Sequence, residues 1–471
     1  MENKDLSSLL RKLIKTAFLV VVWICIGLCL EITGPTLIDL KLRTHSNFEA
    51  VATAVSGRSA GFFIGSALGG VLVDKLGRFS DLILAISLDL MAGFTAALPW
   101  ARMTELMFAI SLCAGTCEGV INIAGQKLII NMWQEKSASP LHLLHAGFGC
   151  GSFIIPLIAN PFLAVLRGAD NNLSDISTLA PTTTAEPVYL KQSRIEYAYA
   201  IAGMIVVVVS FVFYVYHFTG IRDSKAVVKS ESEGDTSKPL SFRQMFNPAT
   251  CTGGRFFYGL EIFVLVALFF FQATGGERVG GKFIRTFAID YHKFSNDDGT
   301  YINTVFWITF TCGRVAGFVA ANWIPIRILI LIETGGCLAG SIALMFFGTS
   351  GPLALWVIMP ILGFFIAPLF PSGIGWANFH IDVTGIAITV FLLGGSVGAL
   401  VYMKVIGFLY DNYGPKMYIY TLLAYGIGAF VLAVLMDLVG AQHGNRFNWK
   451  KEEKDIPVEG HISEDVNEIK L

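Results

Sequence analysis

The sequence predicts an all-α membrane protein, with twelve transmembrane helices in two pseudo-symmetric six-helix bundles and with both termini in the cytoplasm. Composition is the first reason: 54% of the 471 residues are hydrophobic and only 15% are charged, too little charge for the surface of a soluble protein. The second is the recurrence of apolar stretches of about twenty residues, which is long enough to cross a bilayer. The third is an internal repeat. Soluble enzymes and single-span receptors are therefore excluded, and a net charge of -1 gives no reason to expect a nucleic-acid partner.

The apolar windows divide the chain into five parts. Residues 1–16 form a cytoplasmic tail, 17–218 the first bundle, 219–254 a cytoplasmic linker, 255–440 the second bundle and 441–471 a disordered cytoplasmic tail. The linker is rich in charge, Ser and Pro, so it cannot bury a core. The twelve windows, numbered below as spans 1 to 12, are 17–38, 51–73, 80–100, 104–130, 142–166, 196–218, 255–275, 300–322, 328–348, 352–376, 383–408 and 417–440.

Two observations orient the chain in the membrane. Lys and Arg are more frequent in the loops on the side of the N-terminus, which is typical of cytoplasmic loops. The sequon Asn172-Leu-Ser lies in the loop 167–195 on the opposite side, where Asn172 is a predicted glycosylation site. We therefore expect a multi-pass glycoprotein of the plasma membrane, in contact with membrane lipid.

The residue pattern gives no sign of metal or catalytic chemistry. The eight cysteines lie in or beside apolar segments, which favours small core residues over disulfides. The pairs Cys25/Cys29 and Cys113/Cys117 have no further Cys or His at ligand spacing, so no metal site is predicted. Since no nucleophile–base pair, H-E-x-x-H motif or phosphate loop is recognisable either, we expect no enzyme and no cofactor.

The internal repeat joins span 2 to span 8. The hexapeptide Gly57–Phe62 (GRSAGF) recurs as Gly313–Phe318 (GRVAGF), and its two arginines, Arg58 and Arg314, are interpreted as paired structural cations. Span 2 also has a small residue at every fourth position, which lets a neighbouring backbone approach closely. These residues are Gly57, Gly61, Gly65 and Gly69. A second similarity between the halves links Gly151-Ser152 of span 5 to Gly395-Ser396 of span 11.

The loop after span 2 carries a recognisable motif, GVLVDKLGR, which ends at Arg78. This motif resembles the G-x-x-x-D-R/K-x-G-R/K signature of the major facilitator superfamily. The resemblance implies a gating and structural role, without substrate contact, for Asp74, Lys75, Gly77 and Arg78. We expect Gly77 to permit the tight turn and Asp74 to pair with a cation or a helix N-terminus.

A narrower resemblance covers most of both halves. The sequence is similar to the sodium-dependent glucose transporter branch of that superfamily, which is related to bacterial fucose permease. Similarity to this branch implies transport of a hexose-class sugar. Asn122 stands where the branch carries an Asp, while Glu118, one turn earlier, stands where the fucose permease pattern has its Glu. The supporting stretches are GPTLIDL at 34–40, GRSAGFFIGSALGGVLVD at 57–74, LHLLHAGFGCGSFIIPL at 141–157, GGERVGGKFIRTF at 275–287, FWITFTCGR at 306–314 and FPSGIGW at 370–376.

Span 4 carries the leading candidate site. Glu118, Asn122 and Gln126 follow one another at i, i+4 and i+8, so they form a polar stripe on one helical face. Amides can donate to and accept from sugar hydroxyls, and a buried carboxylate can bind a proton or a cation. Asn122 and Gln126 would therefore bind sugar and Glu118 would couple transport to the ion. The alternative is a hydrogen-bonded stripe that pins span 4 to span 2, with Arg58 as the counter-ion.

Four further residues are candidates, and three of them, His145, Glu277 and Trp376, have a structural alternative. His145 resembles a polar sugar-contacting position of the fucose permease, or is a hydrogen-bonded core residue. Gln272 precedes glycines that we expect to break span 7 and to place polar groups at a sugar site. Glu277 is a candidate outer-gate or cation-binding group, or a solvated loop charge. Trp376 could stack on a pyranose, or anchor span 10 at the lipid interface.

Two acidic residues lie in span 1 or directly after it. Glu31 and Asp39 flank Gly34-Pro35, where we expect a kink, and Asp39 could cap or gate the outer end.

Three functions remain in view. A monomeric secondary active transporter would couple hexose movement to Na⁺ or H⁺ by alternating access of the two halves. A facilitative uniporter for the same sugars needs no obligatory carboxylate, and a sugar sensor would bind without flux. Substitution of Glu118 by Gln should abolish concentrative uptake only in the first.

Overall fold

The computed structural model describes residues 2–133, 138–166, 189–219, 248–252, 254–321, 323–381 and 385–443. These residues are helical apart from turns and one short antiparallel pairing of Val165–Leu166 with Tyr189–Lys191. The helices are α1 Glu2–Glu31, α2 Leu37–Thr44, α3 Phe48–Lys75, α4 Ser80–Ala97, α5 Thr104–Trp133, α6 Ala138–Ala159, α7 Ile195–Phe218, α8 Phe256–His292, α9 Asn296–Ala320, α10 Ile326–Phe347, α11 Pro352–Ile366, α12 Leu369–His380, α13 Gly385–Tyr413 and α14 Met417–His443.

Each predicted apolar window overlaps one or two of these helices. Span 1 is divided into α1 and α2 around Pro35, and span 10 into α11 and α12 around Pro368, because proline lacks the backbone N–H that would continue a helix. Within the described residues, ten helical segments are long and apolar enough to cross a membrane. Helices α3 and α9, which carry the repeated hexapeptide, are not among them, since glycine, arginine and other polar residues lower their hydropathy. The count of twelve crossings stays a prediction.

The same helix pairings occur before and after the linker. In the first half α1 packs on α6, α3 on α5 and α4 on α7. In the second half α8 packs on α13, α9 on α11 and α10 on α14. These are corresponding pairs under a shift of six spans, as the internal repeat predicts. Two further pairs, α3 with α13 and α6 with α9, join the halves.

Small residues bring the α3 and α5 backbones together. A Cβ on Gly61 would overlap the carbonyl oxygen of Leu112, and one on Gly65 would overlap that of Thr116. The contact is reciprocal, because a Cβ on Gly115 of α5 would overlap the carbonyl oxygen of Arg58. Close approach through glycine is therefore confirmed for span 2.

Helix α8 differs from the expectation. It runs without interruption for 37 residues, so the predicted break after Gln272 is wrong. Its glycines make room for aromatic rings: a Cβ on Gly275 would overlap the Tyr402 ring, and one on Gly281 would overlap the Trp307 ring. The glycine pattern that suggested a bend is thus a packing surface.

The loop between α3 and α4 also corrects an expectation. Gly77 opens a short 3₁₀ turn with a negative φ, and a Cβ there would meet nothing within 4 Å, so the turn does not require glycine. Lys75 is exposed, and the guanidinium of Arg78 lies 4.5 Å from the ring centroid of Phe79. The side chain of Asp74 and the whole loop segment around Asn172 lie outside the described residues.

Candidate functional site

The polar stripe on α5 divides into two parts. Glu118 is 4% exposed and accepts a hydrogen bond from Nε of Arg58 on α3, at 2.8 Å. One turn further along, Nε2 of Gln126 donates to Oδ1 of Asn122 at 2.7 Å, and both amides are partly exposed. The carboxylate therefore faces a neighbouring helix, while the two amides are hydrogen-bonded to each other on their own helix.

Arg58 connects three helices. Besides Glu118, its Nη1 donates to the carbonyl oxygen of Cys29 on α1 at 2.8 Å. Its remaining nitrogen, Nη2, is buried and has no hydrogen-bond partner among the described residues. The ion pair between α3 and α5 is the arrangement that the structural alternative for Glu118 required.

A second ion cluster crosses from the first half to the second. Glu31, at the end of α1, accepts from Nη1 of Arg278 at 2.6 Å, and its other oxygen lies 2.8 Å from Nζ of Lys282. Lys282 also donates to the carbonyl oxygen of Leu30 at 2.6 Å. Glu31 is 1% exposed and Lys282 is 2% exposed. Charges so deeply buried are stable only when paired, so this cluster couples α1 to α8.

Glu277 also lies inside α8. Because it is buried and helical, the interpretation as a solvated loop charge is wrong. Its Oε2 is 3.7 Å from Nη2 of Arg314 on α9. The Arg314 guanidinium lies 4.7 Å from the ring centroid of Phe310 and 5.3 Å from that of Phe148, and Nη1 donates to the carbonyl oxygen of His145 at 3.4 Å. Three predicted residues, Glu277, Arg314 and His145, are thus brought together between the halves.

The remaining candidates lie in other environments. The ring of His145 makes an edge contact with Trp23, with the centroids 6.5 Å apart. Gln272 accepts a hydrogen bond from the Tyr402 hydroxyl of α13. Trp376 is 1% exposed and its ring packs against His380 at a centroid distance of 4.4 Å, so the indole offers no open face in this conformation.

Hydrogen bonds join the two halves at the end of the bundle where α6 ends and α9 begins. Nδ2 of Asn160 donates to Oδ1 of Asp297 at 2.6 Å, and Oδ1 of Asn160 accepts from the Thr300 hydroxyl at 2.7 Å. Nδ2 of Asn296 donates to the carbonyl oxygen of Ala164 at 2.8 Å. We refer to the contacts made by these five residues as the bridged end.

Asp39 on α2 belongs to the same region. Its Oδ1 accepts from the backbone N–H of Ala164 at 2.8 Å, which fixes the segment that follows α6.

A model of the Major Facilitator Superfamily matches residues 19–403, which is most of the chain. The chain belongs to the major facilitator superfamily. Together with the apolar helices, membership makes it an integral, multi-pass membrane protein, as the sequence predicted.

Individual members of the superfamily support the narrower resemblance. The human protein named sodium-dependent glucose transporter 1 is 27% identical over 414 residues, covering 86% of this chain and 76% of that protein. The crystal structure of the E. coli fucose:proton symporter FucP superposes with a TM-score of 0.59 at 13% identity, over 90% of this chain and 99% of FucP. The inward-open xylose transporter XylE of E. coli gives 0.62 at 12% identity, over 89% of this chain and 94% of XylE. The predicted resemblance to the sodium-dependent glucose transporters is confirmed, and FucP and XylE share the fold. These relatives are named as transporters, not as enzymes.

The sequence analysis did not identify Arg278 and Lys282, the two cations that pair with Glu31. Their i, i+4 spacing places them on one helical face, and this signal was present in the sequence. The apolar window of span 7 ends at the glycines, so the sequence alone places both residues in a loop.

Proposed function

We propose that this protein is a secondary active transporter that moves a hexose-type sugar across the plasma membrane by alternating access, coupled to Na⁺ or H⁺. The observation that carries the proposal is the 27% identity to sodium-dependent glucose transporter 1 over 86% of the chain. FucP, named a fucose:proton symporter, and XylE, named a xylose transporter, share the fold. The proposal includes twelve spans, cytoplasmic termini and a monomeric transporter.

Sugar recognition is assigned to the amides of Asn122, Gln126 and Gln272, with His145 and Trp376 as further contacts. An amide can exchange a protein partner for a sugar hydroxyl without leaving a donor or an acceptor unpaired. The Gln126–Asn122 and Tyr402–Gln272 hydrogen bonds give each of these amides one protein partner that a sugar hydroxyl could replace. Binding would then replace one hydrogen bond with another, which keeps the cost of desolvation low.

The bridged end supports the alternating-access part of the proposal. If the N-terminus is cytoplasmic, the contacts of Asn160 with Asp297 and Thr300 lie on the outward side. Hydrogen bonds between the halves on that side correspond to an inward-facing state. Exposure of the cavity to the outside would require these bonds to break and the opposite ends of the halves to close.

Ion coupling is assigned to Glu118 and Glu277, each of which faces an arginine. A proton or Na⁺ on either carboxylate would weaken its ion pair and release that arginine. Such a change alters the contacts of α3 with α5, or of α8 with α9, and so links ion binding to helix position.

A facilitative uniporter is the second candidate, and one observation favours it. Glu31, Glu118 and Glu277 each have a cationic partner. Carboxylates neutralised in this way stabilise the protein without binding a coupling ion. The two functions differ in whether uptake is concentrative.

Labelled hexose uptake into proteoliposomes, with a Na⁺ gradient, a pH gradient or neither, tests the proposal. Accumulation that requires one gradient supports coupling, and equal flux in all three conditions supports the uniporter. The absence of both hexose flux and hexose binding contradicts the substrate class. Sugar binding without flux would identify a sensor.

The Glu118→Gln variant locates the coupling site. We expect it to lose concentrative uptake and to retain exchange, since exchange needs no ion gradient. Glu105→Gln, on an exposed position of the same helix, is the matched control and should retain both. Concentrative uptake by Glu118→Gln would remove Glu118 from the coupling step.

A further inference from the structure

A small cleft lies where α1, α3, α8 and α13 meet. It encloses ≈ 280 Å³ of space not occupied by atoms, part of it open to solvent. Its polar lining consists of three cations and three hydroxyls, and the remaining lining is apolar. These polar residues are Arg58, Arg278, Lys282, Thr33, Ser56 and Ser59.

No carboxylate lines this cleft among the described residues. Glu31 and Glu118 pair with the lining cations, but they do so outside the cleft wall. An occupant of the cleft therefore faces positive charge and hydroxyl oxygens, with the acidic partners behind them. Such a lining attracts an anion and repels a cation.

The ion pairs around the cleft also carry a net positive charge. Four cations are opposed by three carboxylates, which leaves a formal charge of +1 in a largely buried region. An excess charge at this depth is costly, and one monovalent anion would neutralise it. The cations are Arg58, Arg278, Lys282 and Arg314, and the carboxylates are Glu31, Glu118 and Glu277.

Unused donors provide the third observation. Nη2 of Arg58 and Nε of Arg278 are buried and have no hydrogen-bond partner among the described residues. Arg58 is 4% exposed, so bulk water does not satisfy its free donor. A buried guanidinium N–H without an acceptor carries the full cost of its desolvation. An anion in the cleft would supply the missing acceptor.

We propose that this cleft binds a monovalent anionic group, either free chloride or the carboxylate of a solute. The anion bridges Arg58 of the first half and Arg278 and Lys282 of the second, so it stabilises the conformation in which these residues converge. The inference goes beyond sugar transport, because it holds whether or not a hexose is the substrate.

Thermal unfolding of the purified full-length chain in detergent tests the proposal at constant Na⁺ and constant ionic strength. The sodium salt is chloride, gluconate or a bulky sulfonate that cannot enter the cleft. A saturable rise in the unfolding temperature with chloride identifies a halide site, and a rise confined to gluconate identifies a carboxylate site. Equal unfolding temperatures in all three salts overturn the proposal.

Two substitutions among the charged residues around the cleft should change the Kd of the anion in opposite directions. Lys282→Gln removes a lining cation while Arg278 still pairs with Glu31, and we expect the Kd of the stabilising anion to rise about tenfold or more. Glu31→Gln releases both cations, so the same Kd should fall. Arg327→Gln removes a half-exposed cation paired with Asp437 on α14 and should leave the Kd unchanged.

Opposite changes in Kd distinguish anion binding from a purely structural effect, which would change the Kd of Lys282→Gln and Glu31→Gln in the same direction. If Lys282→Gln does not fold, the salt series on the unmodified chain and on Glu31→Gln still decides the question. A Kd that rises in Glu31→Gln would contradict the proposal.

Discussion

Arg58 and Arg314 occupy the same position in the two copies of the repeated hexapeptide, but their surroundings differ. Arg58 is hydrogen-bonded to Glu118 at 2.8 Å and to a backbone carbonyl of α1, all within the first half. Arg314 lies 3.7 Å from Glu277, rests on two aromatic rings and reaches across to α6. The repeat therefore preserves helix packing while the polar contacts have diverged: Arg58 fastens one half internally, and Arg314 lies at the boundary between the halves.

The largest expected loss of stability follows from breaking the shorter ion pair, that of Arg58 with Glu118. Arg58→Gln leaves the Glu118 carboxylate buried and unpaired, and we expect a loss of about 3–5 kcal/mol in the free energy of unfolding. Arg314→Gln should lose less, because its ion pair is longer and more exposed. Denaturant or thermal unfolding of the two purified variants measures the difference.

The double variant Arg58→Gln/Glu118→Gln supplies the control, since it removes both charges at once and should recover most of the stability. Equal destabilisation by Arg58→Gln and Arg314→Gln would show that the two arginines are structurally equivalent after all.

The glycine contacts between α3 and α5 should give the second effect. Gly61→Val forces a side chain into the backbone of α5 and should destabilise the chain by about 1–3 kcal/mol or more. Gly70→Val on the same helix is a matched control, because a Cβ there would meet nothing within 4 Å. Comparable unfolding temperatures for the two variants would argue against close contact between α3 and α5.

The smallest effect concerns the aromatic contacts of Arg314. Arg314→Lys keeps the charge but loses the flat guanidinium that stacks on Phe148 and Phe310. We expect a stability change of about 0.5–1 kcal/mol and a clearer change in the rate of solute exchange, since the Phe148 contact crosses the halves. An unchanged exchange rate together with a large loss of stability would assign Arg314 to the same structural class as Arg58.

The sequence was informative wherever a local pattern was sufficient. Apolar windows located the helices, and the four-residue spacing of Gly61 and Gly65 predicted close packing, because both depend only on helical periodicity. The pairing of Arg58 with Glu118 could be anticipated as an alternative, but the choice between pairing and ion coupling depends on distance and burial, which spacing does not provide.

Long-range contacts were not predictable in the same way. Glu31 meets Arg278 and Lys282 across about 250 positions of sequence, and a single chain offers no rule for that pairing. The glycines around Gly276 predicted a break in the helix, and that prediction is wrong for a related reason. Glycine in an apolar helix permits either a bend or a close neighbour, and only the packing of Tyr402, Tyr425 and Trp307 distinguishes the two.

The length of α8 has a mechanical consequence. Thirty-seven residues of helix extend about 55 Å, more than the thickness of about 30 Å of a bilayer core. Aromatic rings that fill its glycine notches keep this rod from flexing in the middle. Glu277, Arg278 and Lys282 lie on this one continuous helix, so a tilt of the helix would displace all three charges together.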